Sequence, residues 1–111
     1  MHEQSVALAI IETALAHASG RKVEALRIEA GLFSGVFADS LRFHLELMFE
    51  EQHLAIPSFE IQSPPARCRC ECGEEYAMVA TLDGCPACSG HRRTLLSGRE
   101  CVLVSMEVAD A

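Results

Sequence analysis

Apolar residues recur along the first fifth of the chain at three- and four-residue steps. Val6, Ile10, Ile11, Ala14, Leu15 and Ala18 fall on one stripe, which predicts an amphipathic helix over residues 4–19 with Gly20 as its stop. The period then changes. From Val23 to Ala30, Leu26, Ile28 and Ala30 alternate with Arg27 and Glu29, the signature of a half-buried strand. "GLFSGVFAD" follows as a turn-rich loop with two glycines. The helical period returns with Leu41, Leu45, Met48 and Phe49 on one face, widened by Phe43 and Leu47, and Asp39 is the expected N-cap. Phe59 and Ile61 alternate with Glu60 and Gln62 as a second strand, which Pro64-Pro65 ends. At the far end Val102, Val104, Met106 and Val108 alternate with Leu103, Ser105 and Glu107, giving a third strand.

The predicted order is helix, strand, helix, strand, a cysteine-rich module, strand. Two helices and a small three-stranded sheet make an α+β layer pair. The module interrupts it before the last strand, as an insertion would. The expected division is residues 1–66 with 98–111 for the α+β domain and 67–97 for the insert.

Composition narrows the class. Half of the 111 residues are apolar, enough for a packed core. The longest apolar stretch, Val6 to Ile11, falls far short of the roughly 20 residues that span a bilayer. The start, Met1-His2-Glu3-Gln4, has no basic n-region, so the expected location is the cytoplasm. In that reducing compartment six cysteines read as metal or redox groups before disulfides. Net charge is −7, from 9 Lys plus Arg against 16 Asp plus Glu. That balance argues against nucleic acid as partner and suits cations or a basic protein surface. Arg67, Arg69, Arg92, Arg93 and Arg99, which flank the cysteines, are the local exception.

Five cysteines lie within "CRCECGEEYAMVATLDGCPAC". Thiolates hold zinc tetrahedrally, and structural sites take four protein ligands. An insert of about thirty residues cannot fold on its own apolar content, for which Tyr76, Val79 and Leu82 are the main candidates, and a metal substitutes for the missing core. Cys85-Pro86-Ala87-Cys88 followed by Ser89-Gly90 is a regular zinc knuckle. Cys72-Gly73 resembles the end of a second knuckle, but the position three before Cys72 is Arg69's, so its partner is either Cys70, across one residue, or Cys68, across three. Iron fits a tetrahedral thiolate site as well as zinc does. A redox dithiol fits less well, because Cys85 does not open a helix in a strand–helix unit. His91, after the knuckle, competes as a fourth ligand. Cys101 reads as a small core residue.

The N-terminus carries a second candidate chemistry. A histidine at position 2 lets the terminal amine, the His2 amide and the imidazole converge, and planar nitrogen donors suit Ni(II) or Cu(II). Glu3 can add a carboxylate or an amide. His17 and His44 fall in the helices as surface or packing residues and His53 in a polar loop. No Ser/His/Asp arrangement and no phosphate-binding glycine loop is present, so the chain is expected to be no enzyme. On these residues a zinc-ribbon interaction module without a nickel role is the alternative to a metal carrier.

"MHEQSVALAIIETAL", "IEAGLFSGVFADSLRFHLE", "CPACSG" and "GRECVLVSMEV", in this order, resemble the HypA/HybF nickel metallochaperones, over nearly the whole chain. The resemblance implies a nickel-binding α+β domain with a zinc domain inserted before its last strand. It implies delivery of Ni(II) to [NiFe]-hydrogenase, acting on the large subunit with a HypB-type GTPase, and in some members service to urease maturation. The expected state is a monomer or weak homodimer, and the acidic balance and short apolar runs point to no nucleic acid or membrane as partner. Carried over by position, His2 is the nickel ligand and Glu3 its neighbour in the site; Cys85 and Cys88 are the late zinc ligands. Counted from Phe59, Cys70 and Cys72 fall at the early zinc positions with one intervening residue fewer than the family's usual two, and Cys68 is the extra thiol.

Overall fold

The computed structural model describes residues 2–110, and for His2 the backbone alone. Helix α1 (His2–Ala18) leads into β1 (Val23–Ala30), α2 (Ala38–Glu51) and β2 (Ser58–Gln62); then come β3 (Ala66–Cys70), β4 (Glu75–Met78), β5 (Arg93–Leu95) and β6 (Cys101–Val108). They form two separate three-stranded sheets, β2-β1-β6 and β4-β3-β5.

In the first sheet β1 is central, parallel to β2 and antiparallel to β6. Ile10, Ile11, Ala14 and Ala18 of α1 pack with Leu41, Leu45 and Phe49 of α2 over Leu26 and Ile28 of β1 and Phe59 of β2. Each fully buried Leu, Ile or Phe contributes about 1.5–3 kcal/mol relative to exposure, so this stripe-on-sheet burial holds the α+β unit together. Beyond it, Arg42 lies over the Phe59 ring and Arg27 pairs with Glu60 at 3.4 Å on the solvent face.

Four expectations change. Helix α1 begins at His2 rather than residue 4, so Glu3 stands in its first turn. Asp39 is not the N-cap of α2: Phe37 occupies that position in extended conformation, and Asp39 falls in the first turn, where its charge suits the helix dipole. In β6 the inward face is not the run of valines. Val102 and Val104 are 46% and 48% exposed, whereas Cys101, Leu103, Met106 and Val108 pack on the core. The cause is a bulge: Arg27 pairs with Ser105 but Ile28 with Leu103, so Val104 is the extra residue and the alternation reverses there.

The fourth change is the cysteine module, which has a sheet and a core of its own. Arg67 and Arg69 face out from β3 while Ala66, Cys68 and Cys70 face in, so the Arg–Cys alternation is itself a strand pattern with cysteine in the apolar positions. The core comprises these three with Tyr76, Met78 and Cys85, backed by Leu95. Val79 and Leu82, counted among its scant apolar content, are 73% and 86% exposed. Their place is taken by Leu32 and Phe33, which the loop after β1 contributes to this second core. Around that junction Gly31 N–H donates to Glu100 O and Phe33 N–H to Gly98 O, both at 2.8 Å.

Candidate metal centre

Four cysteines converge at one end of the second sheet. Cys70 is the last residue of β3; its carbonyl accepts from Gly73 N–H at 2.9 Å, and Gly73, at φ 99°, makes the tight return to β4. The turn swings Cys72 back beside Cys70. The other pair sits on a knuckle in which Ser89 N–H bonds Cys85 O at 2.8 Å and Cys85 N–H bonds Gly90 O at 2.9 Å. Ser89 adopts φ 62° to close it.

The sulfurs of Cys70, Cys72, Cys85 and Cys88 all lie within 4.8 Å of one another. Cys70 Sγ is 3.5 Å from Cys88 Sγ, and Cys72 Sγ is 3.7 Å from Cys85 Sγ. Zinc–sulfur bonds of about 2.3 Å at tetrahedral angles put neighbouring sulfurs about 3.8 Å apart, so the set fits a tetrathiolate ion. Outer contacts are in place as well: Ala87 N–H points at Cys85 Sγ and Gly90 N–H at Cys88 Sγ, each at 3.4 Å. Such donors orient and stabilise thiolates. A Cβ on Gly90 would come within 3.1 Å of Cys88 Sγ, so glycine keeps that approach open.

The four thiols are unequal. Burial pushes Cys85 up, but the N–H groups of Cys88 and Ala87 and the thiols of Cys70 and Cys72 outweigh it and bring Cys85 down to about 7. Cys70, Cys72 and Cys88 are raised. Backbone N–H groups pull each of them down, and burial together with neighbouring thiols overcomes that pull. One thiolate thus forms readily among three thiols that hold their protons until a cation displaces them.

The structure settles which early cysteines meet the late pair. Cys70 and Cys72 do. Cys68 lies two residues back along β3, fully buried, its thiol directed at Tyr76 O 3.6 Å away. His91 is exposed on the rim with Arg92 and is not among the clustered ligands. Cys101 packs at the edge of the first core, as its sequence context suggests. The sulfur-directed N–H groups of Ala87 and Gly90 were not foreseen; the small residues in Cys85-Pro-Ala-Cys88-Ser-Gly were their signal.

At the other candidate site, the Met1 amine and the His2 imidazole lie outside the described residues. Glu3 is described. It is only 5% exposed, and its Oε2 accepts from Phe37 N–H at 3.3 Å. A carboxylate from the first turn of α1 thereby serves the N-terminus of α2. His17 bonds its own helix at Thr13 O, 2.9 Å, and His44 stands edge-on to Phe43; neither belongs to the metal-ligating cluster found among the described residues.

Residues 1–108 match the family model described as "Hydrogenase/urease nickel incorporation, metallochaperone, hypA". The chain belongs to the HypA family. Hydrogenase maturation factors HypA of Geotalea uraniireducens (36% identical) and of a Synechococcus strain (38%) each align over 97% of this chain and 99% of their own length. The solution structure of the Ni metallochaperone HypA from Helicobacter pylori shares the fold with a TM-score of 0.64 at 21% identity, covering 96% of each chain. A second HypA solution structure gives 0.62 at 22%, covering 98% of this chain and 97% of its own. HypA proteins are metallochaperones that incorporate nickel in hydrogenase maturation, and that is the function of this chain.

Proposed function

We propose that this member of the HypA family carries Ni(II) at its N-terminus on donors from His2 and Glu3, with zinc as the resident ion of Cys70, Cys72, Cys85 and Cys88. The observation that carries the nickel reading is the position of these residues at the start of α1. The first N–H groups of a helix have no intrahelical acceptor, so the amides of His2 and Glu3 can ligate a metal without breaking the helix. An ionised amide nitrogen is anionic and is favoured at the positive end of the helix dipole. The Met1 amine and the His2 imidazole complete a planar nitrogen set suited to nickel. Its remaining positions are open to the acceptor, which suits release.

The residues at the cysteine centre fit zinc, and four thiolates leave no open position, so the ion would supply folding energy there and no chemistry. In this reading residues 1–66 with 98–111 form the nickel-binding domain and 67–97 the zinc-held insert. The chain acts as a carrier rather than a catalyst, in the cytoplasm. It works with a HypB-type GTPase and the hydrogenase large subunit, and urease maturation is a second client.

Nickel titration of the wild type and of His2→Ala tests this, with X-ray absorption at both metal edges. Nitrogen and oxygen neighbours at nickel and sulfur alone at zinc are expected. Equal nickel affinity and geometry in the two proteins would show the N-terminal assignment to be wrong.

A further inference from the structure

Phe37 breaks two local rules at once. It is the N-cap of α2, where Ser, Thr, Asp and Asn are preferred because their side chains accept from the helix's first N–H groups. The position makes no side-chain cap bond. Its ring is also 74% exposed and belongs to neither core, although its neighbour Val36 packs inward on the first. A residue that contradicts both its helix position and its exposure, with no place in either core of the described residues, marks a site shaped by something other than folding.

The backbone beneath the ring is fixed. Phe37 N–H is held by Glu3 Oε2 at 3.3 Å, and Phe37 O accepts the first helical bond from Leu41 N–H at 2.9 Å. A free aromatic ring on a tethered backbone contributes large apolar contact at little ordering cost, the character of an interface anchor. Its location gives the anchor a use. Glu3 follows His2 directly, so the contact that holds Phe37 also ties the ring to the start of α1.

Charge limits the occupant. Within the insert, Arg67, Arg69, Arg92 and Arg93 balance Glu71, Glu74, Glu75 and Asp83, so the whole net charge of −7 belongs to the α+β part of the chain. Asp39 lies two residues beyond Phe37, in the same first turn. The complementary surface is an apolar pocket bordered by Lys or Arg.

We infer that Phe37 is the docking anchor that seats the nickel-accepting protein over the N-terminal site, its ring entering an apolar pocket with a basic rim. This rests on the nickel reading above. The probe is the purified nickel-free precursor of the hydrogenase large subunit from the same organism. Four proteins are compared: wild type, Phe37→Ser, Phe37→Trp and His2→Ala. Each is measured for melting temperature, nickel affinity, self-association and affinity for the precursor. Phe37→Ser supplies the missing cap, so its melting temperature is unchanged or a few degrees higher, and its nickel affinity stays within about twofold. Its affinity for the precursor falls about tenfold or more, while Phe37→Trp stays near wild type. Undiminished precursor binding by Phe37→Ser overturns the inference. So does a parallel loss of nickel affinity, which would make the ring part of the metal site, or an effect confined to self-association, which would make the occupant a second copy. If wild type and His2→Ala bind nickel alike, the nickel reading itself fails, seen in the titration alone, and takes this inference with it.

Discussion

Cys68 and Tyr76 face each other across β3 and β4, and the Cys68 thiol is directed at the Tyr76 carbonyl 3.6 Å away. That contact separates the two roles cysteine plays along one strand. Cys68 fills the core of the second sheet, and Cys70, two residues on and on the same face, turns its sulfur to the four-thiol cluster.

Substitution at the two positions therefore has different consequences. Cys68→Ala keeps about one zinc per chain and loses about 1–2 kcal/mol of stability through a small cavity. Cys70→Ser or Cys72→Ser removes a ligand, lowers zinc affinity by orders of magnitude and frees the module's amides to exchange while those of α1 and β1 stay protected. Metal analysis with hydrogen exchange reads both. A zinc-depleted Cys68→Ala protein would move the ligand assignment back two residues, to Cys68.

The unequal thiols set the proton balance of metal uptake. At pH 8, Cys85, held at about 7, is already ionised, whereas Cys70, Cys72 and Cys88 keep their protons, so zinc binding to the metal-free protein releases about three protons. Calorimetry in buffers of different ionisation enthalpy measures the number. The lowered value also stabilises the metal-free fold above the ordinary thiol range, and that contribution is lost as pH falls through about 7. Alkylation of the metal-free protein at neutral pH should accordingly spare Cys68, which is fully buried and lies outside the thiol cluster. Release near zero would contradict the arrangement of N–H groups around Cys85, and a first label on Cys68 would contradict its burial.

The junction between the two sheets depends on glycine. A Cβ on Gly31 would overlap the Gly98 carbonyl oxygen and come within 2.6 Å of its carbon. On Gly98, at φ +119°, it would come within 2.7 Å of Ala66 Cβ. Backbone and a buried strand residue cannot yield cheaply, so Gly31→Ala and Gly98→Ala each cost about 2–4 kcal/mol in thermal or denaturant unfolding. Gly20→Ala is the contrast: its φ of +84° is strained for alanine, but no atom lies within 4 Å of the new Cβ, and the cost stays near 1 kcal/mol. Equal costs at all three positions would mean that the close approach is unimportant.

Periodicity exposed the two helices and the three strands of the first sheet because each buries a long apolar stripe. It did not expose the direction of β6, since the bulge at Val104 is set by pairing with β1 and leaves no local mark. The module's three strands stayed hidden for another reason. They are three to five residues long, too short to show a period, and the inward positions of β3 are thiols and alanine rather than branched apolar residues. Leu32 and Phe33 read as part of a turn-rich loop and prove to be core of a sheet more than thirty residues away in sequence. Cys70 and Cys72 were legible by position against the family pattern, whereas spacing alone left Cys68 open; Cys68 shares the inward face of Cys70 but lies two residues farther from the thiol cluster, against Tyr76 O.

Glu3 gives the sharpest test of the N-terminal site, because its carboxylate already has a partner in Phe37 N–H. Glu3→Gln keeps an acceptor at that distance and gives up only the charge at the α2 N-terminus, about 0.3–1 kcal/mol. Glu3→Ala leaves the N–H without its acceptor and costs about 1–3 kcal/mol. If Glu3 serves nickel through its amide nitrogen, Glu3→Gln binds nickel as the wild type does, with the same number of nitrogen neighbours by X-ray absorption. Glu3→Ala then binds more weakly only to the extent that the start of α1 frays from α2, a loss that deepens on warming. A large nickel defect in Glu3→Gln at full stability would instead place the carboxylate on the metal, and its bond to Phe37 would then have to break on loading.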